Sequence, residues 1–132
     1  MFQFDADLSS IDQGVWTEWS GSKFLVAHIS NLKFQKLLAR LQQPHRKKLE
    51  QGSMDPQVNR DILCKAMSEA VLLDWKDVVS MSGDTVPYNA QNAFHALKSD
   101  PEFRDYIADF STQMANYRRS EVAELGKSLQ IG

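Results

Sequence analysis

Histidine, cysteine and paired carboxylates are the side chains of this sequence that could do chemistry, and their spacing limits what that chemistry is. His28, His45 and His95 stand too far apart for a sequence-local metal pair. With Cys64 as the single cysteine, no Cys-x-x-Cys exists to hold structural zinc. Each histidine reads as a surface or packing residue. Asp5-x-Asp7 offers two hard oxygen ligands without the rest of a cation loop, so the pair is expected in a solvated, loosely ordered terminus. Cys64 lies among apolar residues, where burial raises a thiol pKa instead of activating it, and it reads as a small core residue. Gly-x-Ser-x-Gly, Gly-x-Gly-x-x-Gly and a phosphate-cradling loop do not occur. No enzymatic activity, metal or cofactor is expected.

Charge narrows the choice further. Seventeen acidic residues against fifteen Lys plus Arg leave a formal net charge of -2, which argues against a dedicated nucleic-acid binder held by phosphate neutralisation. His45-Arg46-Lys47-Lys48 is the one basic run, with Arg118-Arg119 the other adjacent arginine pair, and both read as solvated helix surface. A single cysteine suits a reducing compartment. No apolar run is long enough to span a membrane, and the acidic start Met1–Asp7 lacks the features of a signal peptide. With 132 residues, 42% of them apolar, the chain can bury a core of its own, and one cytosolic domain is expected.

The elements that must position these residues change character along the chain. Over residues 13–29, two β-prone runs, Gly14–Trp19 and Lys23–Ile29, flank Ser20-Gly21-Ser22 and predict an antiparallel hairpin. Val15, Thr17 and Trp19 share one face and Trp16 shows on the other, while Phe24 and Val26 oppose Leu25, Ala27 and Ile29. Apolar residues on both faces predict that both are partly covered, and Phe2–Leu8 is a candidate third strand. From Asn31 the period lengthens to that of a helix, with Phe34, Leu37, Leu38 and Leu41 at i, i+3, i+4 and i+7. Helices are expected over about 31–42, 44–51, 56–75, 89–98 and 101–124. Ser30 or Asn31 caps the first, and Asp55-Pro56 and Asp100-Pro101 open two others. The wide apolar stripe from Ile62 to Leu73 marks the helix ending at Trp75 as central, and Ser82-Gly83-Asp84 reads as a turn between Val78-Val79 and Thr85-Val86. The fold class is therefore α+β, a mostly helical single domain over 1–125 with a hairpin or small sheet packed on four to five helices. A flexible tail is expected over 126–132.

Aromatic side chains on short elements, among them Trp16, Trp19, Phe24, Trp75 and Tyr88, either close a small core or supply an interface. At Ala70-Val71-Leu72-Leu73-Asp74-Trp75, followed by Pro87-Tyr88 and then Asp100-Pro101-Glu102-Phe103, the order of motifs resembles the tail assembly chaperones of long-tailed bacteriophages and prophages. The likeness covers about residues 13–118, and the order of the motifs, not any one of them, carries it. It implies a protein without catalytic residues that binds the tape-measure protein, keeps it soluble and helps recruit tail-tube subunits. It also implies residence in the host cytoplasm and absence from the finished virion. Gly126-Lys127 is compatible with a frameshift site producing a longer, tube-binding form. Under this reading Trp16, Trp19 and Phe24 are the candidate partner-binding residues, either for the client or for self-association. A small nucleic-acid-binding regulator and a structural head or tail completion protein are the alternatives.

Overall fold

A computed structural model describes Phe2 and residues 4–118. Its elements run α1 (Leu8–Gln13), β1 (Val15–Trp19), β2 (Ser22–Val26), α2 (Leu32–Gln42), α3 (Arg46–Glu50), α4 (Pro56–Ala70), β3 (Leu72–Lys76), α5 (Ala90–Ser99) and α6 (Pro101–Thr112). Short 3-10 turns follow α2 and α6, at Gln43–His45 and Met114–Tyr117. The result is a single α+β domain with a three-stranded antiparallel sheet, ordered β1-β2-β3, backed by helices.

The hairpin closes through two residues, Ser20 (φ 53°) and Gly21 (φ 82°), between the paired Trp19 and Ser22. Positive φ at both central positions is what a type I′ turn demands, and its twist matches that of the strands. Pairing Thr17 with Phe24 and Phe24 with Trp75 puts these three on the inner face, and pairing Trp16 with Leu25 and Leu25 with Asp74 puts those on the outer. The third strand is not the expected Phe2–Leu8. That segment is held by an isolated bridge between Ala6 and Arg118, and then turns into α1, whose N-cap Asp7 accepts from Ser9 N and Ser10 N. Asp5 pairs with Arg118 at 2.7 Å, so both carboxylates expected in a loose terminus have structural partners.

The third strand comes instead from the stretch expected to finish the 56–75 helix. Helix α4 stops at Ala70, and β3 then pairs with β2. The register shifts between Leu25 and Val26, leaving Leu73 as an extra residue on β3, a β-bulge. Because of it, Leu72 and Trp75 both point inward although three residues apart. The helix expected over 101–124 ends at Thr112, turns through Met114–Tyr117, and its remainder, with the 126–132 tail and Gly126-Lys127, lies outside the described residues.

Capping follows the sequence closely. Asn31, Asp55, Asn89 and Asp100 each accept a backbone N–H of the first turn of α2, α4, α5 and α6. Helix α4 is central, packed between α2 and α5 and against β3, with α6 beyond α5 and against β2. It buries Cys64, Ala66, Met67, Ser68 and Ala70. Phe34 of α2, Leu97 of α5, Ile107 of α6 and the inner strand residues Val26 and Leu72 complete the core at 1% exposure or less. Each such large side chain contributes about 1.5–3 kcal/mol by leaving water.

Candidate functional site: an aromatic cleft

Five aromatic rings follow one another across the inner face of the sheet. Phe24 lies 4.9 Å from Phe103 and 6.4 Å from Trp75, while Trp19 lies 5.7 Å from Phe103 and 5.5 Å from Tyr106. Edge-to-face and tilted contacts at these separations let the positive ring edge meet a negative face. Polar tips are satisfied locally. The Trp75 indole donates to Val86 O at 2.9 Å, and the Thr17 and Tyr106 hydroxyls share a hydrogen bond. Next to Trp75, the Tyr88 hydroxyl donates to Leu72 O at 2.7 Å. Burial, aided by the charges of Asp74 and Glu69, raises the Tyr88 phenol above its ordinary value and keeps it a donor.

At one end the rings open into a cleft of about 370 Å³. Its floor is Phe24, Trp75 and Phe103, and Trp19 forms one wall. Val78 and Val79 form the lip, and the α5–α6 corner closes the far side with Ala96, Ser99 and Asp100. The lip belongs to a small loop held by a bridge between Val79 and Thr85, with Val86 N donating to Val78 O at 2.8 Å, where the sequence predicts a turn. Val79 stays 59% exposed and Met81 at the tip is fully exposed, so the loop presents apolar side chains beside the cleft. Such a surface can hold an apolar segment of a partner.

Two of the three sequence-predicted binding residues meet here. Trp19 lines the cleft and Phe24 floors it. Trp16 stands apart on the outer face of the sheet, half-buried, with Lys76 Nζ 4.6 Å above its ring. Sequence reasoning missed Val79 and Phe103 as parts of one site. The β-branched Val78-Val79 pair against a Ser-Gly-Asp turn was the available signal, but nothing local places it over Trp75.

Cys64 and His28 are both buried. Cys64 is fully buried, and its thiol is raised chiefly by that burial. His28 is buried against Tyr117, its ring edge-on at 5.0 Å, and is lowered by desolvation against an opposing hydrogen bond to the Thr112 backbone. Among the described residues no group of three or more His, Cys, Asp or Glu is placed to hold a metal ion, and no helix is long and apolar enough to cross a membrane. In the basic run, Arg46 pairs with Glu50 on the five-residue α3.

Fold and cleft together define a small α+β domain with an aromatic-lined cleft on the inner side of a three-stranded sheet. Its lineage is equally plain. The chain belongs to the YdaY prophage protein family, which it matches over residues 29–128, and is thus a phage or prophage protein. The matched span takes in the Ala70–Trp75, Pro87-Tyr88 and Asp100–Phe103 motifs and begins after the β1–β2 hairpin. No curated protein and no solved structure matches the chain.

Proposed function

We propose that this prophage protein is a non-enzymatic tail assembly chaperone. It binds the tape-measure protein in the host cytoplasm, keeps it soluble, helps bring tail-tube subunits to it, and is left out of the finished virion. The observation that supports this most is the aromatic cleft with Val79 exposed at its lip and Met81 exposed at the tip of the adjoining loop. A tape-measure chain exposes a long apolar helical surface before the tube encloses it, and an apolar cleft on a polar exterior suits the masking of such a surface. Prophage membership and the order of the Ala70–Trp75, Pro87-Tyr88 and Asp100–Phe103 motifs add to it.

Co-expression with the long tape-measure protein of the same prophage tests the reading. The client is expected to stay in the soluble fraction and to co-purify. The Val79→Ser/Met81→Ser variant, changed only at exposed positions, is expected to fold normally and to lose most of that co-purification. A client equally soluble without the chaperone overturns the reading, as does undiminished capture by the variant. Detection in purified virions points to a completion protein, and strong salt-dependent retention on DNA points to a regulator.

A further inference from the structure

Opposite charges line the first and last helices of the helical layer with the same spacing. Helices pack in the order α2, α4, α5, α6, so α2 and α6 form its two edges. On α2, Lys33, Lys36 and Arg40 fall at i, i+3 and i+7, and all three are exposed along an open cleft of about 570 Å³. On α6, Glu102, Asp105 and Asp109 repeat that spacing and are equally exposed. Residues three and four apart share one helix face, so each trio is a stripe of a single sign. Among the described residues the ion pairs are Arg46–Glu50, Lys65–Glu69, Lys98–Asp61 and Arg118–Asp5, and none uses these six. Like charges at these separations destabilise a helix. Arg40 in the last turn of α2 and Glu102 in the first turn of α6 are favoured by the helix dipole. Glu69 lines the same cleft as the basic trio, but no ion pair among the described residues uses any of the six.

The geometry points to head-to-tail self-association, in which the acidic α6 stripe of one copy docks on the basic α2 stripe of the next. Both stripes span eight residues, about 10 Å of helix. With the two helices parallel, Lys33 meets Glu102, Lys36 meets Asp105 and Arg40 meets Asp109. The two faces differ and lie on different helices, so the contact is heterologous and propagates into a ring or an open row of copies. Exposed Leu32, beside the basic stripe, adds apolar contact. The inference rests on charge placement and is independent of the client assignment.

Analytical ultracentrifugation of the full chain is the test. Wild type is expected to associate with rising concentration, and less so as salt screens the contact. Reversing either stripe, as Lys33→Glu/Lys36→Glu/Arg40→Glu or Glu102→Lys/Asp105→Lys/Asp109→Lys, is expected to weaken association about tenfold or more. Each reversed protein repels itself, yet an equimolar mixture of the two pairs opposite stripes and is expected to associate again. Circular dichroism checks folding, and the single changes Lys36→Glu and Asp105→Lys replace any triple variant that unfolds. A wild type that stays monomeric at low salt overturns the inference. So do association that survives both reversals and a mixture that stays monomeric.

Discussion

Asn31 shows how one side chain can secure several elements. Its Oδ1 accepts from Phe34 N at 2.9 Å, capping α2, while its Nδ2 donates to His28 O at 2.7 Å and to Ala70 O at 2.9 Å, where α4 ends. It is buried, so alanine there removes the cap and takes the side-chain donor from Ala70 O, while His28 O keeps the Asn31 backbone N–H at 3.0 Å. Asn31→Ala is expected to lose about 2–4 kcal/mol, a capping loss plus a desolvation penalty, measured by urea unfolding. A loss no greater than that of an exposed cap such as Asp55→Ala would show that the Ala70 carbonyl finds another donor. His28 carries the pH dependence at this scale. Ser30 N donates to its Nδ1 at 3.0 Å, so that nitrogen is an acceptor and the ring is neutral. Burial lowers its pKa in the fold, so between the folded and unfolded values the unfolded chain binds more protons. The stability due to neutral His28 is complete above about 6.5 and is lost as pH falls through the lowered folded value. Thermal unfolding between neutral and mildly acid pH should show a steeper fall for wild type than for His28→Gln. Parallel curves would remove His28 from the account.

Among elements, the hairpin and the bulged third strand decide where the cleft lies. Gly21 turns the hairpin in open space at φ 82°, so an added methyl group costs backbone strain alone. Gly14, at φ 89° and ψ 166°, leads into β1, and a Cβ there would sit 3.0 Å from the Leu25 side chain and 3.2 Å from the Val26 backbone. Gly21→Ala is therefore expected to cost about 1–2 kcal/mol, and Gly14→Ala more than that, since an essentially Gly-only conformation and a clash add together. Denaturation midpoints rank the two, and the reverse order would contradict this account of the hairpin. The bulge at Leu73 matters for the site because it turns both Leu72 and Trp75 inward, one into the core and the other to the cleft floor.

For the molecule as a whole, the segments at the two ends of the described chain close on each other over the sheet. Asp7 N donates to Tyr117 O at 2.8 Å, Arg118 pairs with Asp5, and the fully buried Tyr117 hydroxyl donates to Val26 O at 2.9 Å. Burial raises the Tyr117 phenol far above its ordinary range, so it stays protonated as a donor. Tyr117→Phe keeps the ring and leaves the Val26 carbonyl without that donor. A loss of about 1–2 kcal/mol is expected from chemical denaturation. A variant as stable as wild type would show that the ring alone closes the ends.

Much of this was legible in the chain. Hairpin, turn, four helix starts and the division of β1 and β2 residues into two faces follow from residue type and local period, because caps, tight turns and alternation are decided within a few bonds. The six charges at i, i+3 and i+7 are equally local. What the chain alone could not decide was β3. Leu72 and Trp75 stand three apart, the spacing of a helix face, and only the need of β2 for a partner, met with a bulge, makes that stretch a strand. The cleft depends on the same choice. Trp19, Phe24, Trp75, Val79 and Phe103 are scattered over more than eighty positions, and long-range pairing of β2 with β3 and packing of α6 on β2 bring them together. Local propensity writes the elements, but burial of apolar surface between distant segments chooses which of them meet.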